Sequence, residues 1–421
     1  MLIRIRWLLA AVGLVLAVVA AVATGKAWPG AIAEVPPPAP GSFDKALVGR
    51  GEGLAHLGNC STCHTADGGQ PLAGGKALKT PFGTIFATNI TPDPKTGIGR
   101  WSREAFFRSM REGLSRDGHH LYPAFPYDHF THLTDSDLDA LYAFLMTRPP
   151  VVAQAPENEL IWPLQYRAAV AAWNLLYLQQ GPMGSADRGQ YLAEGLSHCG
   201  SCHTPRNKLG AEIVDRRYGG AWTQGWYAPP LNVHSPAARP WTPEDLFVYL
   251  RSGFSANHAA AAGPMSEVTR ELAEAPEEDV RALAAYFAQQ MSAAPAAKEA
   301  ASLPDRSGPA GQAHPEGAVL FAGACANCHE AGAGMMLQGR PPLSWGTPLH
   351  EETPHNTLHV IVEGLHPAPG IAGPTMPAFG NDFTDAQLTE IAAYLRARYT
   401  DLPPWQDIPK AVADVRKGSI R

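Results

Sequence analysis

Cys60-Ser-Thr-Cys63-His64, Cys199-Gly-Ser-Cys202-His203 and Cys325-Ala-Asn-Cys328-His329 are the three stretches that decide the fold. They contain all six cysteines of the sequence, so no thiol remains for an iron–sulfur cluster or a bridge elsewhere. Two thiols three residues apart can each add to one vinyl group of a haem. The histidine that follows then lies under the iron. A redox dithiol or half a zinc site also uses Cys-x-x-Cys. Three copies, each followed at once by histidine and each in the same helical setting, favour haem attachment. The expectation is three covalently bound haem c groups. Cys60/Cys63, Cys199/Cys202 and Cys325/Cys328 form the thioethers, and His64, His203 and His329 are the proximal iron ligands.

Working outward from the motifs, a repeat emerges. A helix-like run opening on glycine leads into each: Gly51 to Cys60, Gly189 to Cys199, Gly317 to Cys325. A second helix follows and stops at Gly113, Gly253 or Gly364. The first two of these open on Trp101-Ser and Trp241-Thr, with a hydroxyl residue placed as N-cap. A third helix closes each unit, at Thr134-Asp-Ser-Asp-Leu, Pro276-Glu-Glu-Asp-Val and Thr384-Asp-Ala-Gln-Leu. Apolar residues recur there at three- and four-residue spacing. Phe144, Tyr286 and Tyr394 share one register and are expected to pack on the first helix of their own unit. The predicted class is all-α, with three consecutive class I-like cytochrome c domains at 45–148, 185–292 and 314–400. Residues 149–184 form an apolar bridge carrying Trp162, Trp173 and Tyr177, which is expected to pack between domains or against a partner. Residues 293–313 read as a flexible linker and 401–421 as a C-terminal tail.

A sixth iron ligand belongs on the loop after the second helix. Met265 lies 12 residues beyond Gly253, and Met376 lies 12 beyond Gly364. The equal spacing predicts that both are thioether ligands, which raise a haem's potential. Gly113 plus 12 is Phe125, which has no lone pair to give. Haem 1 therefore takes another ligand or is open on one side. His129 is the favoured ligand, ahead of His119, His120 and His132; Met110 reads as core. Asn89, Arg206 and Asn232 read either as propionate partners or as turn-forming and solvated residues.

The N-terminus carries Arg4 and Arg6 ahead of an apolar run, Trp7 to Ala23, of 17 residues. This is a short membrane anchor or a removed signal, within residues 1–30. Either reading sends the body across a membrane, to the periplasmic side of a bacterial inner membrane. The net charge of −6 is mild and no long basic run appears, so nothing points to nucleic acid and no such partner is expected. Gly and Pro number 41 and 39, a share that suits many turns and long loops. No nucleotide-binding glycine fingerprint, flavin motif or catalytic triad is present, so an accessory role is expected rather than substrate oxidation.

Several strings carry a family resemblance. They are Ala87-Thr-Asn-Ile-Thr-Pro-Asp-Pro-Lys-Thr-Gly-Ile-Gly99, Gly118-His-His-Leu-Tyr-Pro-Ala-Phe-Pro-Tyr127, Ala172-Trp-Asn-Leu-Leu-Tyr177 and Gly263-Pro-Met265. With the three motifs, they resemble the tri-haem cytochrome c subunit of bacterial membrane-bound dehydrogenases, over nearly the whole chain after the anchor. The resemblance implies a separate catalytic subunit, with electrons hopping between haems and leaving to ubiquinone or a terminal oxidase. Members paired with flavoproteins commonly have Met at the place of Phe125. The Phe-Pro-Tyr-Asp-His form looks more like subunits paired with molybdenum hydroxylases, so that partner is favoured and a flavoprotein remains possible. Two other readings stand beside this one. An open haem 1 would give peroxidase-like or small-gas chemistry, and a free-standing shuttle would have no fixed partner.

Overall fold

In each of three repeats a glycine of the opening helix sits against the closing helix. The structure is a computed structural model that describes residues 29–39, 41–184, 186–292, 306–330, 332–333, 341–366 and 375–419. The apolar run 7–23 lies outside the described residues, and among the latter no helix is long and apolar enough to cross a membrane.

The first repeat has an opening helix Lys45–Leu57, a middle helix Arg103–Glu112 and a closing helix Asp135–Met146. The second runs Arg188–Tyr191 into a π-helical turn Leu192–Leu196, then Pro243–Ser252 and Glu277–Ser292. The third uses Pro315–Ala324, His355–Glu363 and Asp385–Tyr399. In each repeat the opening glycine touches the closing helix where the shared aromatic begins. A Cβ added at Gly51 would lie 2.7 Å from the Phe144 Cβ. At Gly189 it would lie 2.8 Å from the Tyr286 Cβ, and at Gly317 2.7 Å from that of Tyr394. A side chain of any size would push the helices apart.

Helix ends follow from local chemistry. Ser102, Thr134, Thr242 and Thr384 each accept a backbone N–H at the N-terminus of their helix. Thr384 and Gln387 complete a capping box. Gly113 and Gly253 stop the middle helices in the left-handed conformation, at φ 63° and 70°. Gly364 ends the third at φ 77°. Met110 is buried, as core.

Three expectations need correction. The class is mostly helical, but short antiparallel pairs are added: Glu159–Leu160 beside Gly83–Phe86, and Ala221–Thr223 beside Trp226–Ala228. The apolar bridge 149–184, not a loose linker in the sequence either, contains a helix at Ala168–Tyr177. The linker 293–313 contains the helix Ser307–Ala313, with Ala310 buried. The C-terminal stretch is not a tail: helix Ile408–Arg416 buries Ile408, Ala411, Val412 and Val415 in the core around Phe321, Leu358, Ile391 and Tyr394. These four recur at i, i+3, i+4 and i+7, one face of a helix with Pro409 in its first turn.

The chain forms two compact units. One is built from the chain up to Gly184 and the other from Ser185 onward, except that Ala55–Thr62 and Lys79–Pro81 cluster with the second. Within the second unit, repeats two and three are tied side to side. Asn356 donates to Tyr227 O at 2.6 Å and accepts from Tyr227 N–H at 2.9 Å, pairing like a strand edge. Trp226 stacks on His359 at 4.4 Å, and Trp222 meets His355 edge-on at 4.7 Å. Beneath them lies Glu351, 2% exposed, its Oε1 accepting from Asn356 at 3.0 Å. Burial pushes its carboxyl up to about 8, against a weaker opposing pull from the Asn356 hydrogen bond.

Gly317→Ala is expected to destabilise the protein by about 1–3 kcal/mol through overpacking. Gly323→Ala lies in the same helix with nothing within 4 Å of the added carbon, and is expected to stabilise by up to ~1 kcal/mol. Thermal unfolding of the two variants checks the contrast, which is lost if both shift alike. For Glu351, the folded chain holds an extra proton between the ordinary value of 4.5 and about 8. Stability should therefore fall as pH rises through that window and be flat below it. Denaturant midpoints should show this slope in the parent and a shallower one in Glu351→Gln. Equal slopes would remove Glu351 as its source.

Candidate haem-attachment sites

Each Cys-x-x-Cys-His sequence folds as one helical turn: Cys60–His64, Gly200–His203 and Ala326–His329. His203 N–H donates to Cys199 O at 3.1 Å, and His329 N–H to Cys325 O at 2.9 Å. In such a turn residues i, i+3 and i+4 share a face, so both thiols and the imidazole point the same way. The turn is set off from its opening helix by Asn59 at φ 56° in the first repeat and His198 at φ 37° in the second. None of the six cysteines forms a disulfide.

The imidazoles are oriented from behind. His64 Nδ1 donates to Thr88 O at 2.7 Å, and His203 Nδ1 to Pro229 O at 2.7 Å. A carbonyl can only accept, so the proton is on Nδ1 and Nε2 keeps its lone pair for a metal. Burial pushes both histidines below their ordinary value, which favours the neutral, ligating form. Burial also raises the thiols: Cys199 up to about 12, Cys325 up to about 11, and Cys202 in the same direction. A reactive redox thiol or a zinc thiolate wants the opposite shift. In the second repeat, two thiols kept unionised by burial and an imidazole fixed by a carbonyl fit a covalently held haem better.

The distal loops differ among the repeats. In the first, Leu121 N–H donates to Gly113 O at 2.7 Å, and in the second Ala261 N–H donates to Gly253 O at 2.7 Å. Phe125 and Met265 thus each stand four residues past an equivalent anchor. Met265 lies in the first turn of helix Pro264–Glu274. Phe125 packs on Phe130 and Tyr127, with ring centroids 5.4 and 6.2 Å away. In the third repeat Met376 pairs with Leu365 through two 2.9 Å hydrogen bonds. The residue after the capping glycine pairs six positions on in the first two repeats (Leu114 with His120, Phe254 with Ala260) and eleven on in the third. The equal count of 12 to Met265 and Met376 therefore joins two different loop geometries. Part of the third loop, 367–374, lies outside the described residues.

Of the histidines near Phe125, His119 pairs with Asp117 at 2.5 Å and His132 Nδ1 donates to Gly181 O at 2.7 Å. His120 is 4% exposed, with its Nδ1 3.4 Å from Asn174 Nδ2. His129 is half-buried on the short helix Tyr127–Phe130.

Asn89, Arg206 and Asn232 are each hydrogen-bonded to other parts of the chain. Asn89 is buried and bonds Thr91, Thr96 and Val151 O. Arg206 donates to Gly210 O and Ser201 O, and Asn232 to Arg217 O. The sequence strings around Asn89 and Asn232 are informative for another reason, since Thr88 and Pro229, which hold the imidazoles, lie in or beside them.

Comparison with known proteins agrees with this geometry. Residues 48–149 match the family model described as cytochrome c, and residues 312–395 match that of cytochrome c oxidase, cbb3-type, subunit III. The chain is 45% identical over 405 residues to a nicotinate dehydrogenase subunit of Pseudomonas putida, a match covering 94% of this chain and 34% of the relative. It thus spans about a third of that relative's length. It is 34% identical to the fructose dehydrogenase cytochrome subunit of Gluconobacter japonicus, covering 86% of this chain and 81% of the relative. It is also 34% identical to the gluconate 2-dehydrogenase cytochrome c subunit of Pantoea cypripedii, covering 88% and 90%.

If Met265 and Met376 give sulfur to iron, the oxidised protein has a weak red sulfur-to-iron absorption band. Met265→Leu and Met376→Leu should each remove part of it, whereas Phe125→Leu should leave it unchanged. An unaltered spectrum in either methionine variant would count against that residue as a ligand.

Proposed function

We propose, since this chain belongs to the family of dehydrogenase cytochrome c subunits, that it carries electrons away from a catalytic subunit and performs no substrate chemistry of its own. The observation that supports this best is the similarity to cytochrome subunits over 86% and 88% of the chain. The haem c implied by the cytochrome c matches supplies one-electron chemistry when bound. The protein's share is to hold each group, fix its axial imidazole and exclude water.

The finer reading is of three haems on three cytochrome c domains, at 45–148, 185–292 and 314 to the C-terminal helix. Three turns of the same build, each behind a glycine-on-aromatic crossing, support that count. Cys60/Cys63, Cys199/Cys202 and Cys325/Cys328 would carry the thioethers. His64, His203 and His329 would be the proximal ligands, Met265 and Met376 two of the distal ones, and His129 the distal ligand of the first haem. The N-terminal run 7–23 would place the body on the periplasmic side of the inner membrane, with ubiquinone or a terminal oxidase as acceptor. A molybdenum-hydroxylase partner is favoured over a flavoprotein. Its support is the higher identity to the nicotinate dehydrogenase subunit, 45% against 34% for the fructose and gluconate relatives.

A second reading rests on Phe125, which stands where the second repeat has Met265. It leaves the first iron open to a small ligand. Potentiometric titration of the purified chain, with and without carbon monoxide, separates the two. Histidine ligation gives two high-potential haems and one low, none altered by the gas, because imidazole favours ferric iron more than thioether does. Carbon monoxide binding to one haem would instead support the open site. Three indistinguishable high potentials would contradict histidine at the first haem.

A further inference from the structure

The helix Ala168–Tyr177 has no charged residue, and it exposes one apolar face while burying another. Val170 and Ala171 are buried, and Asn174 and Trp173 turn to Tyr127, with Tyr127 Oη donating to Asn174 Oδ1 at 2.7 Å. On the other side stand Ala168, Ala172, Leu175 and Leu176, at spacings of one helical face. Leu175 is 60% exposed and Leu176 68%. The stretch just before it adds Trp162, 75% exposed, with Ile161 and Tyr166 also exposed. Between Leu160 and Gly181 the sole charged residue is Arg167. Its guanidinium stacks on Tyr122 at 4.4 Å and donates to His120 O at 2.7 Å. A helix without charge is normally covered on most of its sides, and large apolar residues exposed together on one short segment mark a docking surface.

What covers it is indicated by where the N-terminal segment joins the same unit. Arg108 Nη1 donates to Gly30 O at 2.8 Å, and Ile32 N–H donates to Arg116 O at 2.8 Å. Gly118, at φ 92°, lets the backbone at Pro29 approach closer than any side chain would allow. The next two residues, His119 and His120, lead to Tyr122. Tyr122 Oη donates to Leu164 O at 3.0 Å, and Arg167 donates to His120 O. The entry point of the chain and the apolar segment thus share one edge of the unit. Five residues, 24–28, separate the end of the apolar run at Ala23 from Pro29. They span at most roughly 20 Å at about 3.5 Å per residue.

We propose that the face formed by Ile161, Trp162, Tyr166, Ala172, Leu175 and Leu176 docks on the phospholipid bilayer, as a second, in-plane membrane contact beside the N-terminal run. The inference rests in part on reading residues 7–23 as an anchor. A ten-residue helix is too short to span and lies along the interface. Trp162 and Tyr166 suit that depth, where an aromatic ring meets headgroups. With no lysine or arginine on the face, attachment relies on apolar burial rather than on anionic lipid. The contact fixes the orientation of the first repeat to the membrane, with its distal loop 118–130 beside the lipid surface.

The test is photo-crosslinking of the full-length, haem-loaded chain in phosphatidylcholine vesicles that contain a diazirine-bearing phospholipid, read by peptide mass spectrometry. Lipid adducts are expected within 159–178, and the double variant Leu175→Asp/Leu176→Asp, checked for unchanged haem content, should lose them. Adducts within 7–23 report the anchor separately. Adducts on 7–23 without any on 159–178 overturn the proposal and leave the anchor standing. Adducts on 159–178 alone support the docking face and remove the anchor. Adducts on neither overturn the proposal. Parent and double variant labelled equally at 159–178 also overturn it, since that labelling would come from elsewhere on the segment.

Discussion

The contact of a glycine in one helix against the start of an aromatic side chain in another is the constraint on which the rest of the structure depends. Gly51 on Phe144, Gly189 on Tyr286 and Gly317 on Tyr394 set how closely the opening and closing helices approach. The Cys-x-x-Cys-His turn begins eight to ten residues beyond each opening glycine, at the far end of the same helical run. The three crossings agree to within 0.1 Å in the hypothetical Cβ distances, 2.7, 2.8 and 2.7 Å. The chain thus repeats one device rather than using three solutions.

From the motif turn outward, control passes to backbone groups. Thr88 O and Pro229 O each take the Nδ1 proton of a histidine, and that fixes which nitrogen can serve a metal. The loops carrying these carbonyls are braced by buried side-chain bonding. Asn89 and Asp93 hold the first, with Asp93 accepting from Thr96 N–H at 2.6 Å. These amide and hydroxyl donors at Thr96 hold the Asp93 carboxyl below its ordinary value. In the second unit, the neighbouring Trp226–Ala228 strand is tied to Asn356 of the third repeat. The loop that orients one imidazole and the junction between two repeats are thereby parts of one continuous stretch, 226–229.

Much of this is legible in the sequence. The opening glycines, the aromatic register at 144, 286 and 394, the hydroxyl N-caps and the terminal glycines are all local signals with one physical meaning each. The C-terminal helix is legible too, since Ile408, Ala411, Val412 and Val415 follow the i, i+3, i+4, i+7 spacing with Pro409 in the first turn; what the sequence does not show is that this face joins the core of the third repeat. Asn89 and Asn232 draw notice for their side chains, whereas the backbone carbonyls close by hold the imidazoles. A backbone acceptor leaves no residue-type signature. The count of 12 from glycine to methionine looks like equivalence, yet the hairpin after Gly364 is five residues longer than those after Gly113 and Gly253. Spacing along a chain does not report loop geometry. The junction through Asn356, Trp226 and His359 depends on residues over a hundred positions apart and carries no motif.

The central claim is that one turn, built three times, carries a covalently bonded porphyrin each time. Proteolysis of the natively produced chain, followed by mass spectrometry of the three cysteine peptides, addresses it directly. The expected result is a porphyrin adduct on each of the peptides containing Cys60/Cys63, Cys199/Cys202 and Cys325/Cys328. An unmodified peptide among the three, from material in which the other two are fully occupied, would contradict it.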